Sequence, residues 1–157
     1  MRALAILIGV LLTISPSFLF GQGSDKGSAF AAGAECVEDL TIPLYSVLAW
    51  TARAAGPVDA SVTIGQNASV AAVNVEEKGG PKILNELVKK ALGSARFLPA
   101  CAGRTVYFHF LYRLNGEVAD SMPAPEVRYK GGASFEIVAR PPRSFLYEGQ
   151  PSTGNAQ

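Results

Sequence analysis

The feature that most constrains this chain is a ten-residue stretch of strict alternation, Thr105 to Leu114 (TVYFHFLYRL). Val106, Phe108, Phe110, Tyr112 and Leu114 recur at the two-residue period of a strand and share one face. Tyr107, His109, Leu111 and Arg113 share the other. So many aromatic and β-branched residues at this period suit a pleated surface with one face in a core. A strand of this kind needs partners, and the sequence offers them upstream. Val58, Ala60, Val62 and Ile64 alternate with Asp59, Ser61 and Thr63. The turn Gly65-Gln66-Asn67-Ala68 follows, and then a second alternating run from Val70 to Glu76 carries Val73 and Val75, which makes a hairpin.

Two helical patterns bracket that hairpin. Pro43 can open a helix, after which Leu44, Val47, Leu48, Thr51 and Ala52 fall on one face until Gly56-Pro57 stops it. Gly79-Gly80-Pro81 opens a second helix. Its stripe is Ile83, Leu84, Leu87, Val88, Ala91 and Leu92, with Lys82, Glu86, Lys89 and Lys90 on the far side. The order helix, hairpin, helix, strand predicts an α+β fold, a small antiparallel sheet with two helices packed on one face. Glu126 to Ala139 (EVRYKGGASFEIVA) reads as a further C-terminal β-hairpin turning at Gly131-Gly132, within an extension over 115–143. Residues 144–157 are polar and read as a disordered tail.

Composition enters at the amino terminus. The chain is 48% hydrophobic and 17% charged over 157 residues, and much of the apolar excess sits in Ala3 to Ile14, behind Met1-Arg2 and ahead of Ser15-Pro16. That order is the pattern of a secretory signal peptide over 1–21. An uncleaved anchor over 1–20 is the alternative, since the apolar stretch counted on through Phe20 approaches the roughly 20 residues of a span. Residues 22–40 read as a flexible linker. Cleavage would remove Arg2 and no acid, so the formal net charge falls from +1 to zero. The mature protein is then periplasmic or secreted. A neutral chain lacks the basic surplus that nucleic-acid binding needs.

Export sets the context for Cys36 and Cys101, the only two cysteines. In an oxidising compartment such a pair reads as a disulfide, and the competing readings are a lipid-anchored Cys36 or a catalytic thiol. With one histidine in the chain, His109 would be the only imidazole base for such a thiol. No nucleophile–base–acid set, metal-ligand spacing or phosphate loop emerges. The expectation is therefore no enzyme, no catalytic residue, no cofactor and no metal. Trp50 lies off the predicted stripe of the first helix and is expected to pack against the C-terminal segment or to mark a contact surface.

From Thr41 to Leu114 the chain resembles the C-terminal domain of the TonB energy-transducer family. The resemblance is carried by Tyr45, Leu48, Ala49, Ala52 and Gly56, by the hairpin at Val58, Ala60, Val62, Ile64 and Val70, and by the turn Arg96-Phe97-Leu98-Pro99. Gly103, Val106, Phe108, Phe110 and Leu114 then open and form the last strand. Ser46 departs from the usual proline, and Gly65 to Ala68 lacks the usual acidic residue. The resemblance implies a periplasmic domain that captures an extended segment of an outer-membrane transporter, or of another envelope protein, as an added strand. The edge so used would be Thr105–Leu114, with Tyr107, His109, Leu111 and Arg113 flanking the incoming peptide. The plainer reading is that these four side chains cover the outer sheet face.

A full transducer is not expected. Met1 to Phe20 contains no histidine for coupling to motor proteins. Gln22 to Leu40, without proline, reaches only about 65 Å when fully extended. Two expectations therefore stand: a free-standing binding or adaptor module, or a structural or assembly protein, with a homodimer possible, whose sheet edge is closed by its own C-terminal hairpin.

Overall fold

The computed structural model describes residues 33–77 and 79–143. The stretches expected from sequence to be a signal peptide (1–21), the first part of a linker (22–32) and a polar tail (144–157) lie outside the described residues. The fold is α+β. Its strands are β1 (Val37–Asp39), β2 (Gly56–Ile64), β3 (Val70–Val75), β4 (Arg96–Phe97), β5 (Thr105–Leu114), β6 (Glu126–Gly131) and β7 (Ser134–Ala139). Its helices are α1 (Val47–Thr51) and α2 (Lys82–Gly93). A five-stranded sheet has the order β3-β2-β5-β7-β6, and β1 and β4 form a separate pair.

The alternating residues build the core as their period dictates. Val58, Ala60, Val62 and Ile64 of β2 are all buried, as are Val106, Phe108, Phe110 and Tyr112 of β5. β2 and β5 pair antiparallel from Gly56↔Tyr112 to Thr63↔Thr105, which brings these two apolar rows side by side. On α2 the stripe resolves into three fully buried residues, Leu84, Val88 and Leu92. Ile83 and Leu87 pack half-buried at its flank, and the four charged residues point to solvent.

The first helix differs from its predicted form. It is little more than one turn, capped by Ser46, whose hydroxyl accepts from the Ala49 N–H at 3.1 Å. Leu44, Val47 and Leu48 are exposed, while Tyr45, Ala49 and Trp50 are buried. The face turned inward carries the Ala49 methyl and the Trp50 ring, flanked by Tyr45 stacked edge-on against Tyr112 at 5.2 Å.

Residues 33–40, read from sequence as linker, are ordered structure. Ala34–Cys36 form a 3-10 turn and β1 pairs with β4 through Val37↔Phe97. A side chain at Gly33 would meet Val106 Cγ1 at 2.6 Å, so only glycine lets the chain lie this close to β5. What fixes the segment is the Cys36–Cys101 disulfide, with Cα atoms 5.7 Å apart and both residues buried.

Candidate functional site

β5, the predicted binding edge, is an interior strand. β2 lies along one side of it. β7 lies along the other, parallel, from His109↔Ser134 to Leu114↔Ala139. The His109 N–H donates to the Ala133 carbonyl at 3.0 Å, and the Asn115 N–H to the Ala139 carbonyl at 2.9 Å, so both ends of the pairing are closed. The parallel pairing of β7 with β5 comes from the connection. The loop 115–125 steps over one strand position before β6 begins, and the turn at Gly131 and Gly132 (φ +97° and +59°) sends β7 back into the gap. Both turn residues adopt left-handed backbone, which glycine takes without strain.

The hairpin is held from the inside and at its end. Ile137 and Ala139 are buried in the common core, and Phe135 stacks on Phe110 at 5.5 Å. Beyond β7, the Trp50 indole N–H donates to the Arg140 carbonyl at 2.7 Å, and the Arg53 guanidinium donates to the Pro142 carbonyl at 2.6 Å. Arg143 pairs with Asp120 at 2.9 Å across the same clasp. Trp50 thus packs against the C-terminal segment. Its hydrogen bond to a main-chain carbonyl leaves neither group unpaired where the ring is buried.

The four predicted flanking residues sit on the sheet face opposite the helices. His109 Nδ1 lies 2.7 Å from Asp59 Oδ1 on the neighbouring β2, with both side chains partly buried. Arg113 reaches Glu136 of β7 at 3.4 Å, Tyr107 is 45% exposed, and Leu111 lies between Pro57 and Glu136 in the register. His109 and Arg113 therefore bridge β5 to its own two neighbours.

Glu136 is the group that sequence reading missed. It is 4% exposed, the one buried charged residue among those described. Lys130 Nζ stands 3.0 Å from its carboxylate, with Arg113 at 3.4 Å and Arg128 at 3.9 Å. The hydrogen bond from Lys130, helped by the charges of Arg113 and Arg128, holds the carboxyl below its usual range against the opposing effect of burial. Arg128 also forks onto Glu126 at 2.8 and 2.9 Å, and that bond lowers the Glu126 carboxyl as well. Alternation in Glu126–Ala139 was the available signal, since it puts Glu126, Arg128, Lys130 and Glu136 on one face.

Concavities accompany this arrangement, one of about 420 Å³ at the clasp itself, lined by Trp50, Arg53, Asp120, Pro142 and Arg143 among others, and two elsewhere. One, of about 230 Å³, is apolar. It lies beside Phe108, next to where β7 pairing begins, and Phe135, Tyr129, Val37, Leu40 and Ile42 are among its other lining residues. The other, of about 490 Å³, lies between β3 and α2 and is lined by polar residues that include Asn74, Asn85 and Lys89. Among the described residues no three His, Cys, Asp or Glu side chains gather as a metal site would need. No described helix is long and apolar enough to cross a membrane. Compared with known proteins, the chain matches no family model, no curated protein and no solved structure.

Proposed function

We propose that this chain is an exported envelope protein that works by binding or assembly rather than by turnover, and that its C-terminal hairpin occupies the edge an added peptide strand would otherwise take. The observation that carries the reading is β7 lying along His109–Leu114 with six residue pairs in register. Strand addition draws its affinity from main-chain hydrogen bonds. A strand whose two ends bond through His109 and Asn115 already uses them. On this reading the resemblance to the TonB C-terminal domain concerns the fold of 41–114, and the 115–143 extension converts an open edge into a closed one. The N-terminal segment would deliver the chain to the periplasm, and the Cys36–Cys101 bond suits that compartment.

The adaptor reading has one observation in its favour. β7 pairing stops at His109, and the neighbouring Phe108 lines the apolar concavity, so an extended segment has somewhere to begin displacing the hairpin. A capture experiment separates the two. The mature protein and a variant lacking both clasp side chains (Trp50→Phe with Arg53→Ala) are used as baits in an envelope extract. An envelope protein held by the loosened variant and not by the wild type is expected for a closed edge. Equal capture by both would refute closure and favour the adaptor.

A further inference from the structure

Closing β5 leaves the large sheet with two outer strands, β3 and β6. β6 is the more open, since all six of its residues are exposed. It also reads Glu126-Val127-Arg128-Tyr129-Lys130, a sequence that is complementary to itself when reversed. We propose that β6 is a self-recognition edge. Two copies of the chain pair through it, antiparallel about a two-fold axis at Arg128, and join two five-stranded sheets into one. The proposal rests on β7 filling the β5 edge, because that placement is what puts β6 on the outside.

The register follows from charge and shape. About that axis Glu126 comes opposite the second copy's Lys130, which sits at the irregularity between Tyr129 and Gly131, and Lys130 comes opposite its Glu126, so symmetry makes the ion pair twice. Val127 faces the second copy's Tyr129, and this pair too occurs twice. Val127 and Tyr129 are 40% and 63% exposed, among the large apolar side chains that the fold leaves in solvent, and Tyr129 already leans on Phe135 at 5.8 Å. Aromatic–β-branched and opposite-charge pairs are the kinds that stabilise neighbouring strands.

Arg128 meets its own copy on the outer face. Each guanidinium is already forked onto Glu126 and lies 3.9 Å from Glu136, so the like charges are compensated where they meet. Moving the axis to Val127 would bring Pro125, which has no N–H, into the ladder opposite Tyr129. Cationic side chains on an edge ordinarily keep copies apart. Here the acid at the symmetric position turns the same lysine into an attraction. The remaining edge, β3, has no such self-complementary order in Val70–Val75. Six residues a side are few beside the roughly 1,200 Å² of total surface that a stable complex buries, so the association is weak and concentration-dependent.

Sedimentation equilibrium of the mature chain over a concentration series tests this, with Glu126→Lys, Lys130→Glu, the double exchange, and an equimolar mixture of the two single variants. Each single exchange sets like charges opposite each other twice and should weaken self-association roughly tenfold or more. The double exchange restores complementarity and should return it toward wild type, and the mixture should associate where neither component does alone. Lys130→Glu also breaks the contact to Glu136, but the double variant carries the same local loss, so its recovery reports pairing and not repair of the fold. A wild type still monomeric at about 1 mM overturns the proposal. So do single variants that dimerise like the wild type, or a double variant no better than the singles. Amide exchange at His109 and Asn115 tells the two levels apart. A monomer with slow exchange there overturns the dimer alone, and a monomer with fast exchange overturns the closed edge with it.

Discussion

Truncating Ile137 to alanine asks whether the C-terminal hairpin is part of the core or an appendage to it. Ile137 is fully buried on β7, opposite Tyr112 of β5 on one side and Val127 of β6 on the other. At about 0.8 kcal/mol per buried CH2, the lost transfer term is about 2.4 kcal/mol, and the cavity left behind raises the total to about 3–4 kcal/mol. For a domain of this size that corresponds to a fall in Tm of about 12–15 °C. Val138→Ala, one residue along and on the opposite face, removes a half-buried group and should cost about 1 kcal/mol or less. Leu84→Ala in α2 is the reference for a residue whose place in the core is independent of the hairpin. Chemical denaturation of the three variants, followed by circular dichroism, gives the values. If Leu84→Ala loses several kcal/mol while Ile137→Ala loses less than about 1, the hairpin does not share the core and the reasoning fails.

Three further outcomes follow from the same structure. Replacing Cys36 and Cys101 by serine opens a loop spanning 65 positions and should cost about 4 kcal/mol on the chain-entropy model, measurable as a lowered denaturation midpoint under non-reducing conditions. Trp50→Phe keeps most of the ring packing but strands the Arg140 carbonyl, for a loss of about 1–3 kcal/mol by the same assay. Burial pushes the Tyr45 hydroxyl up to about 12 and raises Tyr112 further, with Tyr45 adding to the effect on Tyr112. Because both folded values lie above the unfolded value near 10, their contribution is intact below pH 10 and lost as pH rises through the folded values. Phenolate absorbance should therefore show two tyrosines titrating late and together with unfolding, and a normal titration of all tyrosines in a still-folded protein would contradict the packing.

The legibility of this fold varied with the length of each element. β2, β5 and α2 are long enough for the period to decide which face is buried, and Val58–Ile64, Val106–Tyr112 and Leu84–Leu92 all lie as alternation and helical spacing require. α1 is too short for that. Over little more than a turn, the burial of Tyr45, Ala49 and Trp50 is decided by Tyr112 and the Arg140 carbonyl, neither of which a window around residue 48 contains. Alternation likewise gave the hairpin strands but not their neighbours. The parallel seat of β7 depends on how the loop 115–125 travels, and nothing in the period of Phe135 and Ile137 encodes it. The contacts of the outer face share that limit. His109 meets Asp59, and Glu136 gathers Lys130, Arg113 and Arg128, because of cross-strand register. The residue types were in view and their partners were not.

β7 occupies the edge of β5, and the amides that bridge the two strands report directly whether it stays there. Hydrogen exchange of the chain from residue 22 onward, followed by NMR in native buffer, measures the His109 and Asn115 N–H groups that bond to Ala133 and Ala139. The closed edge predicts that both exchange as slowly as core amides of β2, with opening free energies close to that of global unfolding. Exchange at His109 and Asn115 as fast as in the loop residues 116–125, with β2 still protected, would mean that the edge stands open and would contradict the closed edge.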